Sequence, residues 1–191
     1  MKNVFFSITL LFLVLILSCK SNGKVETKDD FINEWRKVQF KDEFGDLDTS
    51  HVGMKIIIPS EILISDTKFD SGYVVAQYEI KDSFLTFKFY NINFETVIYL
   101  PDFKDIYINY KNSKGQTDAT IGGFYDNALF EKPKYKNRLL SVILNEEEYL
   151  KFYIDFSDYT TIKTKFIFQL DTRKFKNSVI NFDKLKYIDV Q

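Results

Sequence analysis

The chain has 191 residues with 26 basic and 27 acidic side chains, a formal charge of −1, so it lacks the concentrated basic footprint that nucleic acid requires. Hydrophobic residues make up 45% and aromatics 17%, including 20 Phe and 12 Tyr, enough apolar area for one sizeable core and against intrinsic disorder. With a single histidine and a single cysteine there is no His-rich metal cage and no internal disulfide.

Met1-Lys2-Asn3 is a short basic start, and residues 4–17 form an apolar run interrupted only by Ser7 and Thr9. That run is shorter than the roughly 20 residues a membrane-spanning helix needs, so it reads as an export signal over residues 1–18. It ends in Ile16-Leu17-Ser18-Cys19, an aliphatic residue, a small residue and then the only cysteine of the chain. This tetrapeptide resembles the lipobox of bacterial lipoproteins, departing from its commonest form in Ile16 and the bulky Leu17. The resemblance covers the first 19 residues and implies cleavage before Cys19 and lipidation of its thiol. It also implies a cell-envelope location, with the periplasmic face of the outer membrane favoured over the cell surface because the first acid after the cysteine is Glu26. Two or more acyl chains give a stable anchor, at about 0.8 kcal/mol per buried CH₂. Residues 19–30 are polar and read as a tether, with an end-to-end reach of about 18 Å for a flexible segment of that length.

Residues 31–191 read as one β-rich domain. A short helix is expected over residues 27–36, where Thr27 faces Asp30 three positions on. The acids Asp42, Glu43, Asp46 and Asp48 cluster around Gly45, an arrangement that could offer oxygen ligands to calcium. Phe44 stands where an EF-hand places a ligand and Gly53 where its bidentate Glu belongs, so a solvated acidic loop is the expectation. His51 is expected in a solvated loop over residues 48–53.

From Trp35 onward the apolar pattern has period two, with turn residues at intervals of roughly eight to twelve positions. Met54, Ile56 and Ile58 form one inward set; Val74, Ala76, Tyr78 and Ile80 form the next. Leu85, Phe87 and Phe89 follow, then Phe94, Thr96, Ile98 and Leu100, then Ile106, Ile108 and Tyr110. Asn91-Ile92-Asn93, Pro101-Asp102 and Asn112-Ser113-Lys114-Gly115 supply turns. The later inward sets are Leu140-Val142-Leu144, Leu150-Phe152-Ile154-Phe156 and Phe166-Phe168-Leu170. A second short helix is expected near residues 174–184. The sum is an all-β fold, an antiparallel β-sandwich or small barrel of about nine or ten short strands with one or two short helices. A membrane-spanning barrel fits less well, because charges recur on the alternate strand faces.

No nucleophile elbow, phosphate-binding loop or dinucleotide fingerprint occurs. Tyr90, Tyr99, Tyr107, Tyr149 and Tyr153 fall on the strand face opposite the apolar stripe and are candidates for contacting a partner. Gly122-Gly123 would let a loop present Phe124 and Tyr125 outward. The expected function is therefore a non-enzymatic, lipid-anchored binding protein of the envelope: an inhibitor, an immunity factor or an accessory subunit of a membrane complex. It would use no cofactor, sit on the membrane through Cys19 and engage an envelope protein or glycan. A carboxylate-dependent envelope hydrolase and a structural or assembly lipoprotein are the alternatives.

Overall fold

The computed structural model describes residues 32–41, 47–65, 68–96, 98, 105–125, 127–135, 138–157 and 163–186. Cys19, the leader, the tether, Tyr99, the Pro101-Asp102 turn and the acids Asp42, Glu43 and Asp46 lie outside those residues. Among the described residues nine strands run in chain order: β1 (Arg36–Lys41), β2 (Leu47–Ile64), β3 (Lys68–Glu79), β4 (Phe84–Asn91), β5 (Ile106–Asn112), β6 (Thr117–Tyr125), β7 (Ala128–Glu131), β8 (Tyr149–Asp155) and β9 (Thr164–Asp171). Helix α1 (Arg138–Asn145) precedes β8, and α2 (Thr172–Ile180) follows β9.

Every pairing between these nine strands is antiparallel, in the order β1-β2-β3-β4-β7-β6-β5-β8-β9. A further ladder, from Ser60↔Phe168 to Ile64↔Thr164, joins β2 to β9 and closes the sheet on itself. The fold is therefore a closed antiparallel barrel. β2 is long enough to serve two neighbours on one edge: its N-terminal half pairs with β1 and its C-terminal end with β9.

Alternation sorts the side chains. On β4 the buried apolar residues are Leu85, Phe87 and Phe89; on β8 they are Leu150, Phe152 and Ile154; on β9 they are Phe166, Phe168 and Leu170. Because successive strand residues point to opposite faces, these rings converge inside the barrel and fill it. Phe152 lies flat on Phe168, with centroids 4.9 Å apart and planes at 11°, and Phe87 sits 5.5 Å and 5.4 Å from the two. Phe89 extends the cluster to Phe166 at 4.8 Å and Phe156 at 5.0 Å.

Two glycines are required where they stand, one by a turn and one by close strand packing. Gly115 takes φ +85° and donates its N–H to the Asn112 carbonyl, while the Asn112 side chain accepts from the Lys114 and Gln116 N–H groups. Gly122 is needed for space: a Cβ there would come 2.7 Å from Leu129 Cδ1 and 2.9 Å from the Phe130 carbonyl oxygen. Gly122 and Gly123 thus belong to strand β6, not to the expected loop, and Phe124 points into the core at 1% exposure while Tyr125 faces out.

Both helices pack at the barrel end where β8 begins and β9 finishes. Phe175 of α2 is fully buried, 5.3 Å from Trp35 and 5.2 Å from Tyr78, and α1 adds Leu139, Leu140 and Ile143 to the same core. Thr172 Oγ1 and Lys176 Nζ both donate to the Glu146 carbonyl, tying α2 to the end of α1. The α2 start is capped by Asp171, whose carboxylate accepts from the Arg173 and Lys174 N–H groups.

Three sequence expectations are corrected here. Leu140, Val142 and Leu144 lie on helix α1, not on a strand, with Leu144 exposed. Of the expected strand over residues 94–100, the described residues keep only an isolated bridge, Tyr90↔Thr96. Of the expected helix over 27–36, the described part forms an isolated bridge at Ile32 and the beginning of β1 at Arg36. The later helix is found at Thr172–Ile180, followed by a single 3₁₀ turn at Phe182–Lys184.

Candidate partner-binding surface

The outer wall formed by β6, β5, β8 and β9 carries three rows of side chains, fixed by the cross-strand registers. In the middle row Ala119, Asn109, Tyr153 and Ile167 lie side by side. One row toward the helical end come Thr117, Lys111, Lys151 and Gln169. On the other side Ile121 pairs with Tyr107, and Asp155 with Lys165, whose Nζ is 3.6 Å from the Asp155 carboxylate. Between the first two rows runs a groove of about 550 Å³, lined by Asn109, Lys111, Asp118, Lys151, Tyr153 and Ile167 among others.

Two features give this wall chemistry. Tyr107 is 62% exposed and Tyr153 is 36% exposed, so two rings face solvent beside the half-buried aliphatics Ile121 and Ile167. Such rings offer rigid apolar area and a hydroxyl at small entropic cost. The second feature is the registered pair Lys111↔Lys151, two exposed cations directly opposed across the ladder. Like charges in that position are destabilising, and among the described residues neither lysine has an ion-pair partner. An acidic group in the groove would relieve the repulsion.

The acids around this wall serve the fold. Asp118 accepts from Arg138 Nη2 at 2.7 Å and from the Tyr110 hydroxyl at 3.2 Å. The Ala119 backbone N–H, followed by Arg138, holds its carboxyl below the ordinary range. Burial works against ionisation of Glu146, but hydrogen bonds from the Ser113 hydroxyl and the following backbone N–H groups prevail and lower its pKa. Glu131 accepts from the Thr120 hydroxyl and from the Leu139 N–H at the start of α1.

The expected tyrosines divide. Tyr107, Tyr149 and Tyr153 share the wall just described, with Tyr149 half-buried near the helical end. Tyr90 is on β4, across the barrel, where its ring stacks on Phe94 at 5.7 Å and burial raises its hydroxyl pKa. Tyr125, 53% exposed, lines a second groove of about 430 Å³ with Phe84, Phe130 and Lys88, also away from the first wall. His51 is on strand β2, not in a loop, with Nε2 3.9 Å from Glu79 Oε1. Asp48 is also part of β2, opposite Phe40. The lysine pair escapes sequence reading because Lys111 and Lys151 meet only through the β5–β8 register.

No family model matches the chain, and neither a curated protein nor a solved structure matches it.

Proposed function

We propose that this chain is a lipid-anchored binding protein of the bacterial cell envelope, acting without catalysis as an inhibitor, an immunity factor or an accessory subunit of a membrane complex. The observation that carries the reading is the outer wall of β5 and β8, where exposed Tyr107 and Tyr153 flank the unrelieved Lys111↔Lys151 pair. That combination suits a protein or glycan that presents acidic groups to the groove and apolar surface to the rings. The barrel interior is filled by aromatic rings, which supports a reading in which a partner is met by the outer face.

Attachment through lipid on Cys19, after removal of residues 1–18, is supported by the lipobox-like end of the leader. The exposed lysines of the wall favour an anchored domain over a spanning barrel, since each would cost about 2–4 kcal/mol facing lipid at the bilayer midplane. The periplasmic face of the outer membrane is the favoured site.

The test uses the full chain in envelope membranes. Tyr107→Ala with Tyr153→Ala should weaken capture of the envelope partner by at least ~2 kcal/mol, as exposed aromatic hot spots do. Lys111→Glu with Lys151→Glu should slow association and remove its salt dependence. Cys19→Ala should abolish palmitate labelling and release the protein from the membrane fraction. Full capture by folded tyrosine and lysine variants would refute the surface, and unchanged membrane retention of Cys19→Ala would refute the anchor.

A further inference from the structure

The geometry points to a divalent metal site of the zinc class away from the β6-β5-β8-β9 wall, formed by His51 on β2, Glu79 on β3 and Asp82. One ligand atom from each of the three lies within 4.8 Å of the others. The inference is independent of the binding surface proposed above.

The backbone brings the three together by separate devices. In the β1–β2 ladder Gln39 pairs with Val52 but Phe40 pairs with Asp48, so residues 49–51 bulge out of register and re-aim the His51 side chain. Glu79 is the registered partner of Gly53, two residues from His51, and its Oε1 stands 3.9 Å from His51 Nε2. The Ile80 N–H donates to the Val52 carbonyl at 3.2 Å, which holds the end of β3 beside the bulge. Asp82 follows in the β3–β4 turn, closed by the Ser83 N–H on the Ile80 carbonyl at 3.2 Å, with Ser83 at φ +51°.

Charge and donor type select the ion. Two carboxylates and a neutral imidazole cancel a divalent cation, and a mixed nitrogen–oxygen set suits zinc and its transition-metal neighbours. Calcium and magnesium need about six or more oxygens and gain little from imidazole. Donors around a tetrahedral ion at about 2.0–2.1 Å stand about 3.3 Å apart. From the 3.9 Å separation of His51 Nε2 and Glu79 Oε1, closure requires only small rotations, and Asp82 is exposed and able to turn inward. Three protein ligands leave a further position for water or for a carboxylate of a bound molecule. Glu79 also lines the groove of Phe84, Phe130 and Tyr125, so the ion would sit at the rim of that groove.

The test is calorimetric titration of the untagged, chelator-treated full chain in detergent with zinc chloride and separately with calcium chloride. Zinc should bind with a stoichiometry of a single ion per chain, and cobalt(II) at the same site should show visible d–d absorption of reduced symmetry. His51→Ala, Glu79→Gln and Asp82→Asn should each weaken zinc binding by at least about tenfold while melting with the wild type in the presence of chelator. Should His51→Ala fail to fold, Asp82→Asn in its exposed turn carries the same comparison. Absence of stoichiometric zinc binding, or binding that survives Glu79→Gln and Asp82→Asn unchanged, would overturn the site. A preference for calcium would overturn it as well.

Discussion

Truncating Phe152 to alanine should remove a large part of the stability of this barrel. The ring is fully buried, stacked on Phe168 at 4.9 Å and packed 5.5 Å from Phe87 and 6.2 Å from Tyr110. A buried Phe→Ala change costs about 3–5 kcal/mol, of which each ordered ring pair accounts for about 0.5–1.5 kcal/mol. Against a total stability of about 5–15 kcal/mol that is a large fraction. At about 2–4 °C per kcal/mol for a chain of this size, Tm should fall by about 6–20 °C, read by circular dichroism or calorimetry. Phe152→Leu keeps most of the volume and should cost under about 2 kcal/mol. A cycle with Phe168→Ala should show coupling of about 1 kcal/mol, since the two rings share one contact. Tyr107→Ala, on the exposed wall, should stay within about 0.5 kcal/mol of wild type. If Phe152→Ala melts as close to wild type as Tyr107→Ala does, the interior is not the filled aromatic core described above.

Gly122→Ala places a methyl group 2.9 Å from the Phe130 carbonyl oxygen, which belongs to the β6–β7 ladder and cannot swing aside. It should destabilise by about 1–3 kcal/mol in denaturant unfolding, and a neutral result would show that the strand crossing is looser than described. Asp171→Ala removes the acceptor for two N–H groups at the start of α2 and should cost about 1 kcal/mol. Burial opposes ionisation of Asp171, but hydrogen bonds from Lys174 and Arg173 prevail and hold its carboxyl below the ordinary range. Its contribution is therefore complete above the unfolded pKa of about 3.9 and is lost as pH falls through the lower folded value. Wild type and Asp171→Ala should converge in Tm as the pH is lowered below about 4, and a gap that stays constant down to about pH 2 would refute the cap.

Strand parity was readable wherever a strand was long and one face apolar. Leu150, Phe152 and Ile154 are buried and Lys151 and Tyr153 exposed, as alternation demands, and the same holds for β4, β5 and β9. Misreadings occur where a side chain competes with the backbone ladder or a distant group decides the local structure. Asn91 Oδ1 accepts from the Asn93 and Glu95 N–H groups and Phe94 takes φ +62°, so residues with strand periodicity are drawn into a turn. The apolar run of residues 139–144 satisfies periods of both two and 3.6, and the Glu131 carboxylate receiving the Leu139 N–H supports the helix from another element. Gly122 and Gly123 resemble a loop in sequence because the close approach of Leu129, Ile108 and Phe130 exists only once the barrel is formed. For the same reason parity assigned Tyr107 and Tyr153 to an outer face, but their lysine neighbours and the separation from Tyr90 and Tyr125 depended on register and strand order.

The shared edge of β2 sets an order of events in time. Its N-terminal half meets β1, which leaves the ribosome first, so that edge is covered as soon as the two strands exist. Its C-terminal end must wait for β9, a partner roughly a hundred residues later in the chain, and such distant pairings pay their loop entropy before any contact rewards them. Until β9 docks, the barrel is an open sheet whose aromatic lining faces water and whose unpaired edge can accept a strand from another chain. The short β2–β9 ladder is thus the joint at which maturation finishes and at which aggregation competes with folding.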